Sequence, residues 1–188
     1  MMPPLPDPDV TLATEADLPT VVALVNGAYR GTGAQAGWTT EAHYIDGQRT
    51  SLADLEAELA APNRPQILTL RQGGEMLACA MLELVPRADG ALSGHIGMLT
   101  VRPGLQNGGV GRRMLTAAEA QARRRGADRA RMGVVNIRDT LIAWYERRGY
   151  RLTGEESPFP YDDPRFGLPK VAGLKFVVME RRLDDDAL

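Results

Sequence analysis

The order of hydrophobic patterns along this 188-residue chain predicts a mixed α/β fold built on one central sheet. Two helical patterns come first, an antiparallel run of three strands follows, and a strand–helix–strand–helix unit leads to closing strands. This length allows one domain whose core can form without disulfides, and a single cysteine excludes a disulfide framework. We expect a Pro-rich leader over residues 1–9, one domain over 10–183 and an acidic tail over 184–188.

The helices are predicted from capping signals and from the spacing of apolar residues. Thr14, with Asp17 three residues later, is typical of a helix start, and Thr50-Ser51 marks a second start. Apolar residues then recur at helical spacing on one face of each segment. The predicted helices cover residues 14–30, 50–60, 109–125 and 139–148.

The strands are predicted where short apolar runs lie between turn signals. The two glycines of Gln72-Gly73-Gly74 predict a tight hairpin between the first two strands. The predicted strands cover residues 66–71, 75–85, 94–101, 129–135, 149–153 and 171–182. The Pro-rich segment 154–170 is predicted to be a long loop.

The charge distribution excludes some classes of function and favours others. Net charge is −2, yet residues 112–151 carry eleven arginines and a net charge of +7, which indicates either an anionic ligand or a solvated helix face. The overall charge and the absence of interleaved basic and aromatic residues argue against a nucleic-acid partner. With two histidines and one cysteine, we expect no metal site. No apolar run approaches the roughly 20 residues that cross a membrane, and the N-terminus lacks a signal pattern, so we expect a soluble, cytoplasmic protein with no membrane partner.

The most specific local signal is a glycine-rich turn between a predicted strand and a predicted helix. Its sequence is Gln106-Asn107-Gly108-Gly109-Val110-Gly111-Arg112. Glycine lets the backbone approach a ligand, and the free N–H groups of a helix start attract anions. The phosphate-binding patterns G-x-x-x-x-G-K-[ST] and G-x-G-x-x-G do not fit, whereas Q-x-x-G-x-G does. By itself, this pattern leaves two interpretations, an anion site and a tightly packed turn.

The wider context of this turn resembles the GNAT superfamily of N-acetyltransferases. Its signature, V-x-P-x-x-Q-x-x-G-x-G-x-x-[L/M]-L, is matched in full from Val101 to Leu115, and its second block, [W/L]-Y-x-x-x-G-[F/Y], from Trp144 to Tyr150. The resemblance covers roughly residues 10–182. It implies a mixed sheet of about six or seven strands, largely antiparallel with one splayed parallel pair and flanked by about four helices. It also implies acetyl-CoA as a co-substrate.

The same resemblance assigns a set of coenzyme-binding residues. The backbone of the turn is expected to bind the pyrophosphate of acetyl-CoA, while the pantetheine arm runs along the preceding strand. The residues expected there are Leu99, Thr100, Val101, Gln106, Asn107, Gly108, Gly109, Val110, Gly111 and Arg112. Many relatives have an asparagine seven residues before the motif tyrosine. Here that position is Arg138, and Asn136 lies two residues earlier, so either residue could contact the coenzyme.

Tyr145 matches the family's tyrosine, which lies near the coenzyme sulfur and donates a hydrogen bond to the leaving thiolate. Attack by an amine also requires a base that removes the ammonium proton. His95 is the first candidate, because it stands where some relatives carry glutamate and because histidine titrates near neutral pH. Glu83 on the neighbouring strand is the second, either directly or through water, and a water chain is the remaining alternative. Cys79, in an alternating apolar strand, is predicted to be a core residue and no nucleophile.

The acceptor side is predicted from the irregular segment after the first helix and from segment 154–170. Its candidate residues are Tyr29, Trp38, Arg49, which could hold a carboxylate, and Tyr161. The predicted function is acetyl transfer from acetyl-CoA to the primary amine of a small molecule, by direct attack in a ternary complex. A protein or peptide amine is the alternative acceptor, and a non-catalytic CoA-binding regulatory module is the alternative class. A homodimer is allowed, although no sequence feature requires it.

Overall fold

The computed structural model describes residues 7, 9–31, 37 and 40–184. In these ranges the chain forms four α-helices and nine strands. The helices are α1 (Leu18–Arg30), α2 (Leu52–Leu59), α3 (Val110–Arg124) and α4 (Asp139–Glu146). The strands are β1 (Val10–Leu12), β2 (Ile45–Asp46), β3 (Gln66–Gln72), β4 (Glu75–Pro86), β5 (Leu92–Val101), β6 (Ala127–Val135), β7 (Arg151–Pro158), β8 (Leu168–Pro169) and β9 (Lys175–Arg182). None of the helices in the described ranges has the length and apolar character that crossing a membrane requires.

Seven strands form the central sheet, in the order β1-β3-β4-β5-β6-β9-β7, and β2 pairs with β8 in a small separate sheet. Every neighbouring pair in the central sheet is antiparallel except β5–β6, which is parallel. Side chains alternate between the two faces of a strand, so Ile67 packs with α1 and α2 while Leu68 packs with α3. Helices therefore cover both faces, and the predicted mixed α/β sheet is confirmed.

The local signals in the first third of the chain correspond to observed helix caps and turns. Thr14 and Asp17 form a capping box at a short 3-10 turn that leads directly into α1. The Ser51 hydroxyl accepts a hydrogen bond from the Asp54 amide and caps α2. Gly73 and Gly74 both have positive φ, 58° and 84°, as the predicted two-residue hairpin turn requires.

Segment 154–170 is more ordered than the sequence predicts. Strand β7 continues to Pro158, past the predicted end at residue 153, and a 3-10 turn and β8 follow it. The register between β7 and β9 shifts between Leu152 and Glu156, where Gly154 has φ +85°. This bulge lets the strand continue although its period-2 pattern is interrupted. Strands β1, β2 and β8 have only two or three residues each, too few to show a period.

The parallel strands β5 and β6 separate partway along their length. Their pairing extends from Leu92 with Ala127 to His95 with Arg131 and then stops, while β6 remains paired with β9 and β5 with β4. At the same point β5 contains one extra residue relative to β4, and Met98 adopts a left-handed φ of 54°. The end of β5 therefore diverges from β6 and leaves a gap in the sheet. This gap positions the candidate site.

Candidate active site

A cleft of about 380 Å³ lies beside the diverging end of β5. It is enclosed by the end of that strand, the glycine turn and one side of α4. Its lining residues are Tyr29, Leu99, Val101, Gln106, Asn107, Gly109, Gly111, Arg112, Arg138, Leu141, Trp144, Tyr145 and Arg148. The fold thus brings together residues from both sequence motifs, which are separated by about thirty positions in the chain.

The glycines of the turn meet two separate structural requirements. Gly109 is the N-cap of α3 and has φ +78°, a left-handed conformation that side chains rarely adopt. A Cβ on Gly111 would lie 3.3 Å from the Val101 side chain and 3.6 Å from the Trp144 ring. Tight packing and an open backbone therefore coexist here. The first N–H groups of the 15-residue α3 have no carbonyl partner within the helix, which makes its start a site for an anion.

The two arginines at the start of α3 have different environments. Arg113 donates hydrogen bonds of 2.9 Å to Asp7 and Asp9, so its charge is compensated. Arg112 is exposed and lines the cleft. Of the two formal charges that the sequence places at this turn, the one on Arg112 faces the cleft.

The cleft adjoins a larger groove of about 740 Å³ that shares Arg112 and Arg148 with it. Five arginines line this groove: Arg112, Arg123, Arg147, Arg148 and Arg181. Its acidic lining residue, Glu119, accepts a hydrogen bond from the Tyr150 hydroxyl at 2.7 Å and pairs with Arg181 at 3.1 Å. The positive charge predicted for residues 112–151 is therefore concentrated partly on one surface, next to the cleft.

One face of α4 and the turn that follows it supply a row of cleft residues, of which the sequence analysis assigned a role to Tyr145 alone. Leu141, Trp144, Tyr145 and Arg148 follow the i, i+3, i+4, i+7 spacing of one helix face. The Trp144 and Tyr145 rings meet edge to face at 5.0 Å, and the Arg148 guanidinium lies 3.5 Å above the Trp144 ring. The same spacing, counted in both directions from Tyr145, would have identified the other three residues.

The burial and the protonation state of Tyr145 both suit a hydrogen-bond donor. Its side chain is only 6% exposed, and its hydroxyl makes no hydrogen bond with another described residue. Burial raises the pKa of Tyr145 well above its usual value of 10, so the phenol carries its proton at neutral pH. Because a thiol titrates near 8.5, complete proton transfer from Tyr145 to a thiolate is more unfavourable than reference values suggest. The arrangement supports a hydrogen bond to the sulfur.

A smaller inner cavity of about 140 Å³ adjoins the cleft. The residues that line both spaces are Tyr29, Leu99, Arg138, Leu141 and Tyr145. The Tyr29 hydroxyl donates to the Leu99 carbonyl at 3.1 Å, which ties α1 to β5 where β5 leaves β6. Arg49, predicted on the acceptor side, also lines the inner cavity.

A buried ion-pair network forms one wall of the inner cavity. The Glu41 carboxylate accepts from Arg30 at 2.6 Å and from Arg138 at 3.0 Å, and all three side chains are at most 8% exposed. Arg138 thus lines the cleft, while it also pairs with Glu41. Asn136 lines neither space. Its side-chain amide donates a hydrogen bond to the backbone carbonyl of Gly173 and accepts one from the backbone N–H of Lys175.

The two candidate bases are cross-strand neighbours on β4 and β5. Neither His95 nor Glu83 lines the cleft or the inner cavity, but Gly97, two residues beyond His95 on the same face, lines the inner cavity. Burial, and then the charge of Arg131, lower the pKa of His95 below its usual value of 6.5. His95 is therefore neutral at pH 7, and it lies outside both spaces.

Several predicted residues serve other contacts. Thr100 is buried and donates its hydroxyl to the Met98 carbonyl at 2.8 Å, while Gly108 and Val110 flank the cleft without lining it. Tyr161 is 44% exposed and holds its own loop together through Val171 and Leu174. Trp38 lies outside the described residues.

The described residues offer no alternative catalytic centre of the cysteine or metal type. Burial raises the pKa of the Cys79 thiol to about 12, so Cys79 is a core residue, as predicted. Within the part of the chain that the structure describes, no three His, Cys, Asp or Glu side chains are grouped to hold a metal ion.

Comparisons with known proteins agree with this geometry. The model of the acetyltransferase (GNAT) family matches residues 24–150. Ribosomal-protein-alanine N-acetyltransferase from Brucella melitensis is 22% identical, with a TM-score of 0.67 over 92% of this chain and 98% of that chain. A putative phosphinothricin N-acetyltransferase is 16% identical, with a TM-score of 0.66 over 93% of this chain and 97% of that chain. An N-acetyltransferase from Staphylococcus aureus Mu50 is 14% identical, with a TM-score of 0.67 over 93% and 97%. No curated protein matches the sequence significantly.

Proposed function

The chain belongs to the acetyltransferase (GNAT) family, and from this we propose that it transfers an acetyl group from acetyl-CoA to the primary amine of a small molecule. One observation carries the proposal. The end of β5 that has separated from β6, the glycine turn at the start of α3 and the side chain of Tyr145 all border one cleft of about 380 Å³. A thioester held there would have its phosphates at a helix N-terminus and its sulfur near a phenol.

The turn and its surroundings suit the phosphates of the coenzyme. Backbone N–H groups at the start of α3 can donate hydrogen bonds to a pyrophosphate. Arg112 adds a formal positive charge, which no described carboxylate compensates, whereas the charge of Arg113 is paired with Asp7. The five-arginine groove continues from the cleft through Arg112 and Arg148 and can hold the remaining phosphate of the nucleotide end. The pantetheine arm would then run along Leu99 and Val101.

The chemistry is direct attack of the amine nitrogen on the thioester carbonyl carbon. The ammonium first loses one proton to the base; a C–N bond then forms, the C–S bond breaks, and the second proton of the nitrogen goes to the departing thiolate, which gives the amide and the free thiol of CoA. A backbone N–H on the unpaired edge of β5, near Leu99, can stabilise the oxyanion. The Tyr145 hydroxyl donates to the departing sulfur, and neutral His95, or Glu83, accepts the ammonium proton through water.

The small inner cavity supports a small acceptor over a protein segment. It is about 140 Å³ in volume, and Phe159, Phe166 and Phe176 are among its walls. The β2–β8 pair lies beside it, with Ile45 contributing to the lining. An extended peptide needs an open groove in which several residues can lie, whereas an enclosed pocket suits a compact amine.

The test combines coenzyme binding with thiol release. Calorimetry with acetyl-CoA should give a micromolar-range dissociation constant, and thiol release should accelerate with small primary amines more than with peptides of ribosomal or other sequence. Gly111→Val is the matched control, because its side chain fills the space between Val101 and Trp144. This variant should remain folded and bind acetyl-CoA poorly. No heat of binding to wild type would refute the proposal. Binding without thiol release for any amine would indicate a regulatory module, and faster release with peptides would indicate a protein acceptor.

A further inference from the structure

The inner cavity carries an excess of positive charge. Among the described residues that line it, Arg30, Arg49 and Arg138 are cationic, whereas Glu41 is the only carboxylate. Both oxygens of Glu41 are engaged, one by Arg30 and the other by Arg138. The single charge of this carboxylate is therefore shared between Arg30 and Arg138, and it makes no direct contact with Arg49.

Among the described residues of this cavity, Arg49 is a cation without a direct counterion. Its guanidinium lies 5.6 Å from the centroid of the Tyr29 ring and makes no hydrogen bond or ion pair with another described residue. Glu58 interacts with it electrostatically, but no ion-pair contact joins the two side chains. The neighbouring Arg30, whose side chain is only 8% exposed, has a buried Nε without a hydrogen-bond partner. Unpaired guanidinium N–H groups in a partly buried pocket are costly, and an anionic ligand would remove that cost.

The rest of the cavity is apolar and borders the reacting end of the cleft. Leu99 and Tyr145 lie on the side it shares with the cleft, and Arg49 does not line the cleft. The apolar walls are formed by Ile45, Ile96, Met132, Val134, Phe159 and Phe176. A ligand that fills this space would meet a hydrophobic surface, a cationic group and the reacting end of the cleft at once.

Resting on the proposed acetyl transfer, we propose that the acceptor is a small amine that also bears a carboxylate, namely an α-amino acid with an apolar side chain. Arg49 holds the carboxylate, with Arg30 and Arg138 adding to the positive field. The apolar walls hold the side chain, and the amine lies beside Leu99 and Tyr145. Guanidinium binds carboxylate with two parallel hydrogen bonds, which fixes the orientation of the amine.

The experiment compares matched acceptors that differ only at the carboxylate. Leucine, methionine and phenylalanine are each compared with their primary amides, by thiol release with acetyl-CoA and by calorimetry against the CoA-saturated protein. For at least one of the three side chains, the acid should exceed its amide by about 10- to 100-fold in kcat/KM and in affinity. Arg49→Gln should remove this preference by lowering the value for the acid and leaving the amide within about twofold. Arg64→Gln removes an equal charge from an exposed loop residue that lines neither space, and should leave the preference intact.

The outcomes separate this inference from the proposed function. Equal values for acids and amides, no binding of any of the three acids, or a preference that survives in Arg49→Gln would each overturn the inference. If amides are acetylated as fast as acids, acetyl transfer stands and the carboxylate site fails. If acids bind better than amides in an Arg49-dependent way but no thiol is released, the carboxylate site stands and acetyl transfer fails.

Discussion

Replacing Tyr145 with phenylalanine removes one oxygen atom from the cleft and leaves the aromatic ring in place. The ring keeps its edge-to-face contacts with Trp144 at 5.0 Å and with Tyr150 at 5.6 Å. Since the hydroxyl bonds no other described residue, no partner loses a hydrogen bond. The free energy of unfolding should therefore change by less than about 1 kcal/mol, and the affinity for acetyl-CoA should change little.

Turnover should fall much further than stability. A hydrogen bond to a charged group contributes about 1.5–3 kcal/mol, and 2.7 kcal/mol corresponds to about a 100-fold change in rate. We therefore expect kcat of Tyr145→Phe to fall about 100-fold at saturating acetyl-CoA, measured by thiol release with the best amine. Burial raises the pKa of Tyr145, so its phenol stays protonated up to at least pH 10, and the effect should not vary between pH 7 and pH 9.

Two results would refute this reasoning. An unchanged kcat would remove Tyr145 from the chemistry. A fall in kcat with an equal fall in acetyl-CoA affinity, or with a lowered melting temperature, would show that the hydroxyl shapes the cleft and does not act on the sulfur. Calorimetry and thermal melting of the same preparation distinguish these cases from the expected one.

Three further predictions concern the base, the coenzyme site and the turn before β8, which packs on Ile45. Burial lowers the pKa of His95 below 6.5, so kcat/KM should rise with pH as His95 loses its proton and level off at about that pH. His95→Ala should abolish this rise. An unaltered pH profile would exclude His95 as the base. Arg112→Gln should weaken acetyl-CoA binding about tenfold by calorimetry. Arg113→Gln is the control and should change the affinity less than about twofold, because the charge of Arg113 is already paired with Asp7 and Asp9. Equal losses in the two variants would contradict this assignment. A Cβ at Gly167, where φ is +95°, would lie 2.5 Å from a neighbouring side chain, so Gly167→Ala should lower the free energy of unfolding by more than about 2 kcal/mol in urea. The control Gly90→Ala, at φ +81° in open space, should cost about 1 kcal/mol; similar losses would show that the clash is relieved.

The sequence contains enough to predict the main strands and helices, and the glycine turn and Tyr145 that border the cleft, because those features are local. The glycine turn needs positive φ at Gly109 and close packing at Gly111, and only glycine meets both conditions. The second motif places Tyr145 on a helix whose period determines which side chains share its face. Helix caps, turn glycines and short-range periodicity are readable because the interacting residues are neighbours in the chain.

The features that escaped prediction depend on residues far apart in the chain. Glu41 and Arg138 are 97 positions apart, and no local pattern connects a loop carboxylate with that arginine. The two-residue strands β2 and β8 stabilise each other only after the rest of the fold has brought them together. Asn136 and Arg138 were equivalent as candidates because residue type alone cannot show which of two neighbouring side chains turns toward the cleft.

The exposed edge of β7 has a consequence for how copies of the protein meet in solution. All eight residues of this strand are exposed, its ladder with β9 slips at Leu152–Glu156, and Glu155 is paired with Arg131 across the sheet. An incoming strand would find an uneven row of donors and acceptors and would have to desolvate acidic side chains. Association by extension of the sheet at this edge is thereby disfavoured, which protects concentrated protein against fibril-like aggregation.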